Sequence, residues 1–109
     1  MQPPLTPATF HILLALANGE RHGYAIMREV AEQTDNLIQL GPGTLYGSLK
    51  RLVENGLIEE LDERGEADER RRYYRLTRNG RALAVAESKR LQAAVRNARS
   101  KRLIGPERL

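Results

Sequence analysis

A mainly helical chain carrying one small β-hairpin is the fold this sequence predicts, and three observations predict it. Apolar residues recur at helical spacing in four separate stretches. Between the third and fourth, two short strand-like runs flank a polar loop containing Gly65. The last stretch, opened by Thr77, runs from Ala82 to about Arg102 with no proline and no further glycine. The expected order is helix, helix, helix, hairpin, long helix. A chain of 109 residues fits one domain.

Thr6 is suited to cap the first helix, with Pro7 at its first position. Phe10, Leu13, Leu14 and Ala17 trace one face, and Ile12 and Leu16 widen it, so this helix is expected to be largely buried. Asn18-Gly19 ends it. His22-Gly23-Tyr24 opens the second helix, whose inner side is Ala25, Ile26, Val30 and Ala31. Thr34–Leu40 reads as a connector. Its apolar centre is either a short extended strand or a plug between two helices.

The third helix spans residues 41–56. Pro42 suits its first turn, because the missing N–H would be unpaired there anyway. Leu45, Leu49, Leu52 and Val53 form one apolar face, and Gly56 is a natural stop. Thr44, Ser48, Lys50 and Arg51 fall largely off that face, with Tyr46 beside them. Such a helix docks by one side and offers hydroxyls, an aromatic ring and two cations on the other.

Residues 57–61 and 70–76 are compatible with two strands, joined by the acidic run Asp62 to Glu69. Alternation puts Arg72, Tyr74 and Leu76 on one side and Arg71, Tyr73 and Arg75 on the other. A lone hairpin is marginal, so it must pack on the helices. Thr77 then caps the long helix, and Gly105-Pro106 is expected to stop it. Leu83, Leu91, Ala94, Val95 and Ala98 make an apolar stripe that Glu87 interrupts. Lys89, Arg90, Arg96, Arg99, Lys101 and Arg102 make its other sides basic.

Composition narrows the function. The net charge is +4, but residues 1–77 carry 9 Lys/Arg against 12 Asp/Glu while residues 78–109 carry 9 against 2. Contact of the N-terminal part with a polyanion therefore has to come from local clusters. The absence of cysteine excludes disulfides, thiolate nucleophiles and thiolate metal sites, and fits a reducing compartment. With His11 and His22 as the only histidines, no metal site and no cofactor are expected. No export signal or membrane span is recognisable, which makes the cytoplasm the expected location. There is no phosphate-cradling glycine loop, nucleophile elbow or isolated carboxylate in an apolar setting, so no catalytic residues are assigned and an enzyme is not expected.

The second and third helices with their connector form a candidate helix-turn-helix, and the hairpin is its wing. In such modules the later helix enters the major groove of DNA. At this point the sequence resembles the PadR-like transcriptional regulators. The resemblance is carried by His22-Gly23-Tyr24, by Gly43-Thr44-Leu45-Tyr46 with Leu49, Arg51 and Leu52, and by Asn55-Gly56-Leu57-Ile58. Arg71 to Thr77 with Gly80 completes it, so that nearly all of residues 10–80 are covered. It implies a winged-helix repressor that dimerises through a C-terminal helix, here of the shorter type. A small-molecule effector at the dimer interface is also implied, although no residue announces such a ligand.

The domain division expected is 1–77 for the winged helix-turn-helix and 78–109 for the dimerisation helix and tail, within one compact unit. The residues expected at double-stranded DNA are Tyr24, Thr44, Tyr46, Ser48, Lys50, Arg51, Arg70, Arg71 and Arg72. Lys50 and Arg51 suit phosphate contacts, which supply affinity rather than sequence. For Arg51 the alternative is pairing with the acids at 54, 59 or 60; for Tyr46 it is half-buried packing against the wing. Thr44 bonds either DNA or its own backbone, and Tyr24 sits where the family often places a backbone-contacting residue or else serves structure alone. His22 reads as a capping residue. The acidic wing tip is expected to be repelled by phosphate, leaving contact to the arginines at its base, unless acids and arginines simply pair across the hairpin. Leu83, Leu91, Ala94, Val95 and Ala98 are the expected dimer contacts of a homodimer on a palindromic promoter site. The alternative function is a winged-helix module that binds a protein instead of DNA.

Overall fold

The computed structural model describes residues 4–61 and 72–106. Four helices, α1 (Pro7–Ala15), α2 (Gly23–Gln33), α3 (Pro42–Glu54) and α4 (Arg78–Ser100), surround a small antiparallel sheet. Its strands are β1 (Arg21–His22), β2 (Ile58–Leu61) and β3 (Tyr73–Leu76), in the spatial order β1-β3-β2. The fold is thus the mainly helical one expected, with a third strand that the sequence does not announce. The polar loop and Arg70 and Arg71 lie outside the described residues.

Side chains close three of the four helix N-termini. Thr6 accepts from the Thr9 amide, the His22 Nδ1 from Ala25, and the Thr77 hydroxyl from Gly80, at 3.2, 3.1 and 3.0 Å. His22 is therefore the capping residue it was read to be. The N-terminus of α3 has Gly41 at its cap and no side-chain bond.

The C-termini turn back through residues in the left-handed region. Gly56, with φ of 75°, follows α3, and the Leu57 amide then reaches the Leu52 carbonyl at 3.0 Å. At the end of α2 the same job falls to Asp35 and Asn36, residues that tolerate this conformation, and the Asn36 amide bonds the Ala31 carbonyl at 2.8 Å. α4 ends earlier than expected. Arg102 takes a φ of 62° and the Leu103 amide closes on the Ala98 carbonyl, so Gly105-Pro106 lies five residues beyond the last helical residue, Ser100.

The core is one cluster. Ile12, Leu13 and Leu16 of the α1 region meet Ile26 and Val30 of α2, Leu45, Leu49 and Leu52 of α3, Ile58 of β2 and Tyr74 of β3. Burying a side chain of this size contributes about 1.5–3 kcal/mol. The apolar face of α1 is centred on Ile12, Leu13 and Leu16, and Leu14 is exposed, contrary to expectation. The connector acts as a plug: Ile38 and Leu40 pack on the core with no strand formed, while Leu37 is 86% exposed. Glu87 is another correction, since it is buried rather than solvated, with its carboxylate held by Arg90 at 2.8 and 2.9 Å.

One joint ties the sheet to α4. The Thr77 amide donates to the Leu57 carbonyl at 3.1 Å and its hydroxyl to the Gly56 carbonyl at 2.6 Å. Gly80 then passes so close that a Cβ there would lie 1.8 Å from the Leu57 carbonyl oxygen. The end of α3 and the start of α4 are fastened at the same place.

Candidate nucleic-acid interface

The apolar stripe of α3 decides what its other side can do. Leu45 and Leu49 are fully buried and Leu52 nearly so, which turns Gly43, Thr44, Tyr46, Lys50, Arg51 and Glu54 to solvent. Ser48 is half-buried and receives a bond from the Arg51 guanidinium at 3.3 Å. None of the ion pairs among the described residues involves Arg51, so the acids at 54, 59 and 60 do not hold it there.

Tyr46 is both exposed and seated. It is 45% accessible, yet its ring lies across the first residue of α2: a Cβ on Gly23 would stand 2.5 Å from the Tyr46 hydroxyl. The glycine of His22-Gly23-Tyr24 thus makes room for the aromatic of α3. One residue on, Tyr24 is 60% exposed, with the Arg28 guanidinium 6.0 Å from its ring centre. An arginine at that distance over a phenol is within cation–π range.

The wing meets α3 along a cleft of about 480 Å3 lined by Tyr46, Lys50, Val53, Glu54, Glu60, Arg72 and Tyr74. Glu60 pairs directly across the ladder with Tyr74, and Arg72 lies two residues along the same face. The Glu60 carboxylate takes a hydrogen bond from the Tyr74 hydroxyl and stands 3.8 Å from Arg72. Burial pushes the Tyr74 phenol up from 10.0 to about 12, and the neighbouring Glu60 charge and hydrogen bond push it the same way. On the opposite face Glu59 pairs with Arg75. In the described part of the wing, acids and arginines therefore do pair across the hairpin, once on each face.

The structure brings Tyr46, Lys50 and Arg72 of the expected set to one cleft, with Thr44 and Arg51 on the exposed turns of α3. Tyr24 lies on the neighbouring helix. Sequence reasoning missed Gly23 as the seat of Tyr46 and Glu60 as the anchor of Arg72 and Tyr74. The cross-strand register was the signal for Glu60. Of the stripe on α4, Leu83 packs against its own core, whereas Leu91 and Val95 are 44% and 40% exposed. Leu14 and Val85 add to that apolar surface beside a groove of about 510 Å3 between α1 and α4.

Among the described residues no group of three or more His, Asp or Glu is placed to hold a metal ion, and no helix is long and apolar enough to cross a membrane.

Helix-turn-helix, wing and appended helix define a winged-helix protein. The chain belongs to the transcriptional regulator PadR-like family, whose sequence model matches residues 12–86. It is 42% identical over 77 residues to an uncharacterised 37.1 kDa protein of a Streptomyces fradiae transposon, covering 71% of this chain and 21% of that one. It is 36% identical over 87 residues to the transcriptional regulator Rv3488 of Mycobacterium tuberculosis, covering 79% and 77%. The chain thus spans about a fifth of the first relative and three quarters of the second. Among solved structures, Bacillus subtilis PadR in complex with operator DNA shares the fold, with a TM-score of 0.65 at 24% identity over 72% of this chain and 44% of that one. The family is a regulatory one, as expected from the sequence, and nothing in these likenesses points to an enzyme.

Proposed function

We propose that this chain is a DNA-binding repressor that works in the cytoplasm as a homodimer, with α3 entering the major groove and the base of the wing gripping the flanking backbone. The observation that carries this reading is the division of α3. Its apolar stripe is sealed in the core, and Thr44, Tyr46, Lys50 and Arg51 stand together on the exposed side. The operator complex of the Bacillus relative supports the same use of the fold.

Lys50, Arg51 and Arg72 supply phosphate contacts, joined by Arg70 and Arg71. Tyr46, Thr44 and Ser48 face base edges or sugar–phosphate, and Tyr24 holds the backbone beside them. The exposed Leu91 and Val95, with Ala94 and Ala98, cover a second copy of α4, while Leu83 borders the contact from the core side. Two-fold pairing sets the two α3 helices about 34 Å apart and calls for a palindromic site. A small molecule that enters near the paired helices changes their spacing and releases the promoter.

Selection of bound duplexes from random DNA at low salt tests this. The expected result is an enriched two-fold symmetric sequence, bound with an affinity that falls steeply as salt rises. Failure to retain any duplex at low salt refutes it, and leaves the protein-binding use of the fold.

A further inference from the structure

The acids of the cleft have no place in a simple phosphate grip, and one of them has a specific geometry. Glu60 sits on β2 with its carboxylate bonded to the Tyr74 hydroxyl and 3.8 Å from the Arg72 guanidinium. Tyr74 is 3% exposed, so its hydroxyl fixes the carboxylate against the core. Arg72 is the mobile partner, with 71% of its side chain accessible. An anchored anion thus holds a mobile cation at the edge of the cleft, beside Lys50 and Tyr46 of α3.

We propose that Glu60 is a specificity-determining residue, an internal competitor that a DNA phosphate must displace before Arg72 contributes to binding. The inference rests on the DNA-binding reading above. On a matching site α3 seats fully in the groove and brings a backbone phosphate up to the cleft. There the phosphate, with its greater charge density and several acceptor oxygens, takes Arg72 from the carboxylate. On unmatched DNA the helix rides higher, the phosphate stays further away, and Arg72 remains with Glu60. The pair is then neutral and adds nothing to indiscriminate attraction. Glu60 lowers binding to all DNA, but more so to the wrong DNA. Glu54 lines the same cleft, but no ion pair among the described residues joins it to Arg72.

The test uses the full chain and two duplexes, the selected operator and a random-sequence control, titrated over a range of salt. Glu60→Gln removes the charge while its amide oxygen still accepts from Tyr74. It is expected to raise affinity for the random duplex about two- to five-fold, the span of an exposed ion pair. The log–log salt dependence on that duplex steepens by up to about 0.9, one extra phosphate neutralised. Affinity for the operator rises less, so discrimination falls. Glu60→Asp keeps the charge and restores discrimination toward that of the unaltered chain.

An Arg72→Ala background separates competition from plain repulsion between Glu60 and phosphate. Competition requires that Glu60→Gln lose its effect there, and an effect that persists in full overturns the proposal. An unchanged salt slope and discrimination in folded Glu60→Gln also overturns it, while leaving the DNA-binding reading intact. Should the unaltered chain bind neither duplex at low salt, the underlying reading fails and this one with it.

Discussion

Replacing Gly80 by Ala adds one methyl group to a helix, a change that ordinarily stabilises by about 1 kcal/mol. Here the opposite is expected. The new Cβ would lie 1.8 Å from the Leu57 carbonyl oxygen and 2.9 Å from its carbon, both backbone atoms with no rotamer to yield. The first turn of α4 has to move about 1.6 Å before that contact becomes ordinary, an overpacking that costs about 1–3 kcal/mol. The movement also pulls on the two bonds from Thr77 to Leu57 and Gly56, each worth about 1 kcal/mol. Setting the helix gain against these losses, Gly80→Ala loses about 2–4 kcal/mol, or roughly 10–20 °C of melting temperature. Thermal and urea unfolding followed by circular dichroism measure this. Protein concentration must be held fixed, because association stabilises by mass action. Gly43→Ala is the control: the same change in α3, with nothing within 4 Å of the new Cβ. It should be neutral or slightly stabilising. A Gly80→Ala chain as stable as the unaltered one would refute the reasoning.

Other outcomes follow from the same contacts. Gly23→Ala meets only the far end of the Tyr46 side chain, so stability should change by less than about 1 kcal/mol. Tyr46 is displaced, and operator affinity measured by anisotropy drops; an unchanged affinity would remove Tyr46 from the interface. The Tyr74 phenol ionises near pH 10 in the unfolded chain and near 12 in the folded one. The folded form therefore keeps its proton longer, and stability present below pH 10 should fall by at most about 2–3 kcal/mol as pH rises through 12. Tyr74→Phe should flatten that decline in alkaline unfolding curves. Changing Lys50 and Arg51 together to Ala should reduce the salt slope of DNA binding by about 1.8, with melting nearly unchanged. Leu91→Asp with Val95→Asp should yield monomers in sedimentation velocity that bind DNA poorly, and a tight dimer from this variant would place the interface elsewhere.

Much of the fold was legible because its determinants are local. Thr6, Pro42, Gly56 and Thr77 mark helix boundaries by chemistry that acts within one turn. The stripe of Leu45, Leu49 and Leu52 needs only the helical period. What escaped depends on distant partners. β1 is two residues long and exists because Arg21 and His22 find Tyr74 and Tyr73 across the sheet. Its length is too short for any alternation to show. The burial of Glu87 is likewise a tertiary result, since the residue looks like any other polar interruption of a stripe. The end of α4 was misplaced because Arg102, not a glycine, takes the left-handed turn. At the cleft, the cations of α3 could be named from the helix alone. The positions of Gly23 against Tyr46 and of Glu60 beside Arg72 required the packing of α2, α3 and the wing together.

The partition of α3 has a consequence for how such a chain changes over generations. Three leucines bear the helix's share of the core, and Thr44, Lys50 and Arg51 bear almost none of it. Substitutions at exposed positions of this kind usually alter stability by no more than about 0.5 kcal/mol. Under the proposed function, operator preference can therefore drift through single replacements there without first acquiring a compensating mutation. Tyr46 is the exception. Seated against Gly23 and lining the cleft with Tyr74, it can be exchanged only if its neighbours on two other elements change as well. New specificities in this lineage should accordingly arise around a fixed tyrosine rather than through it.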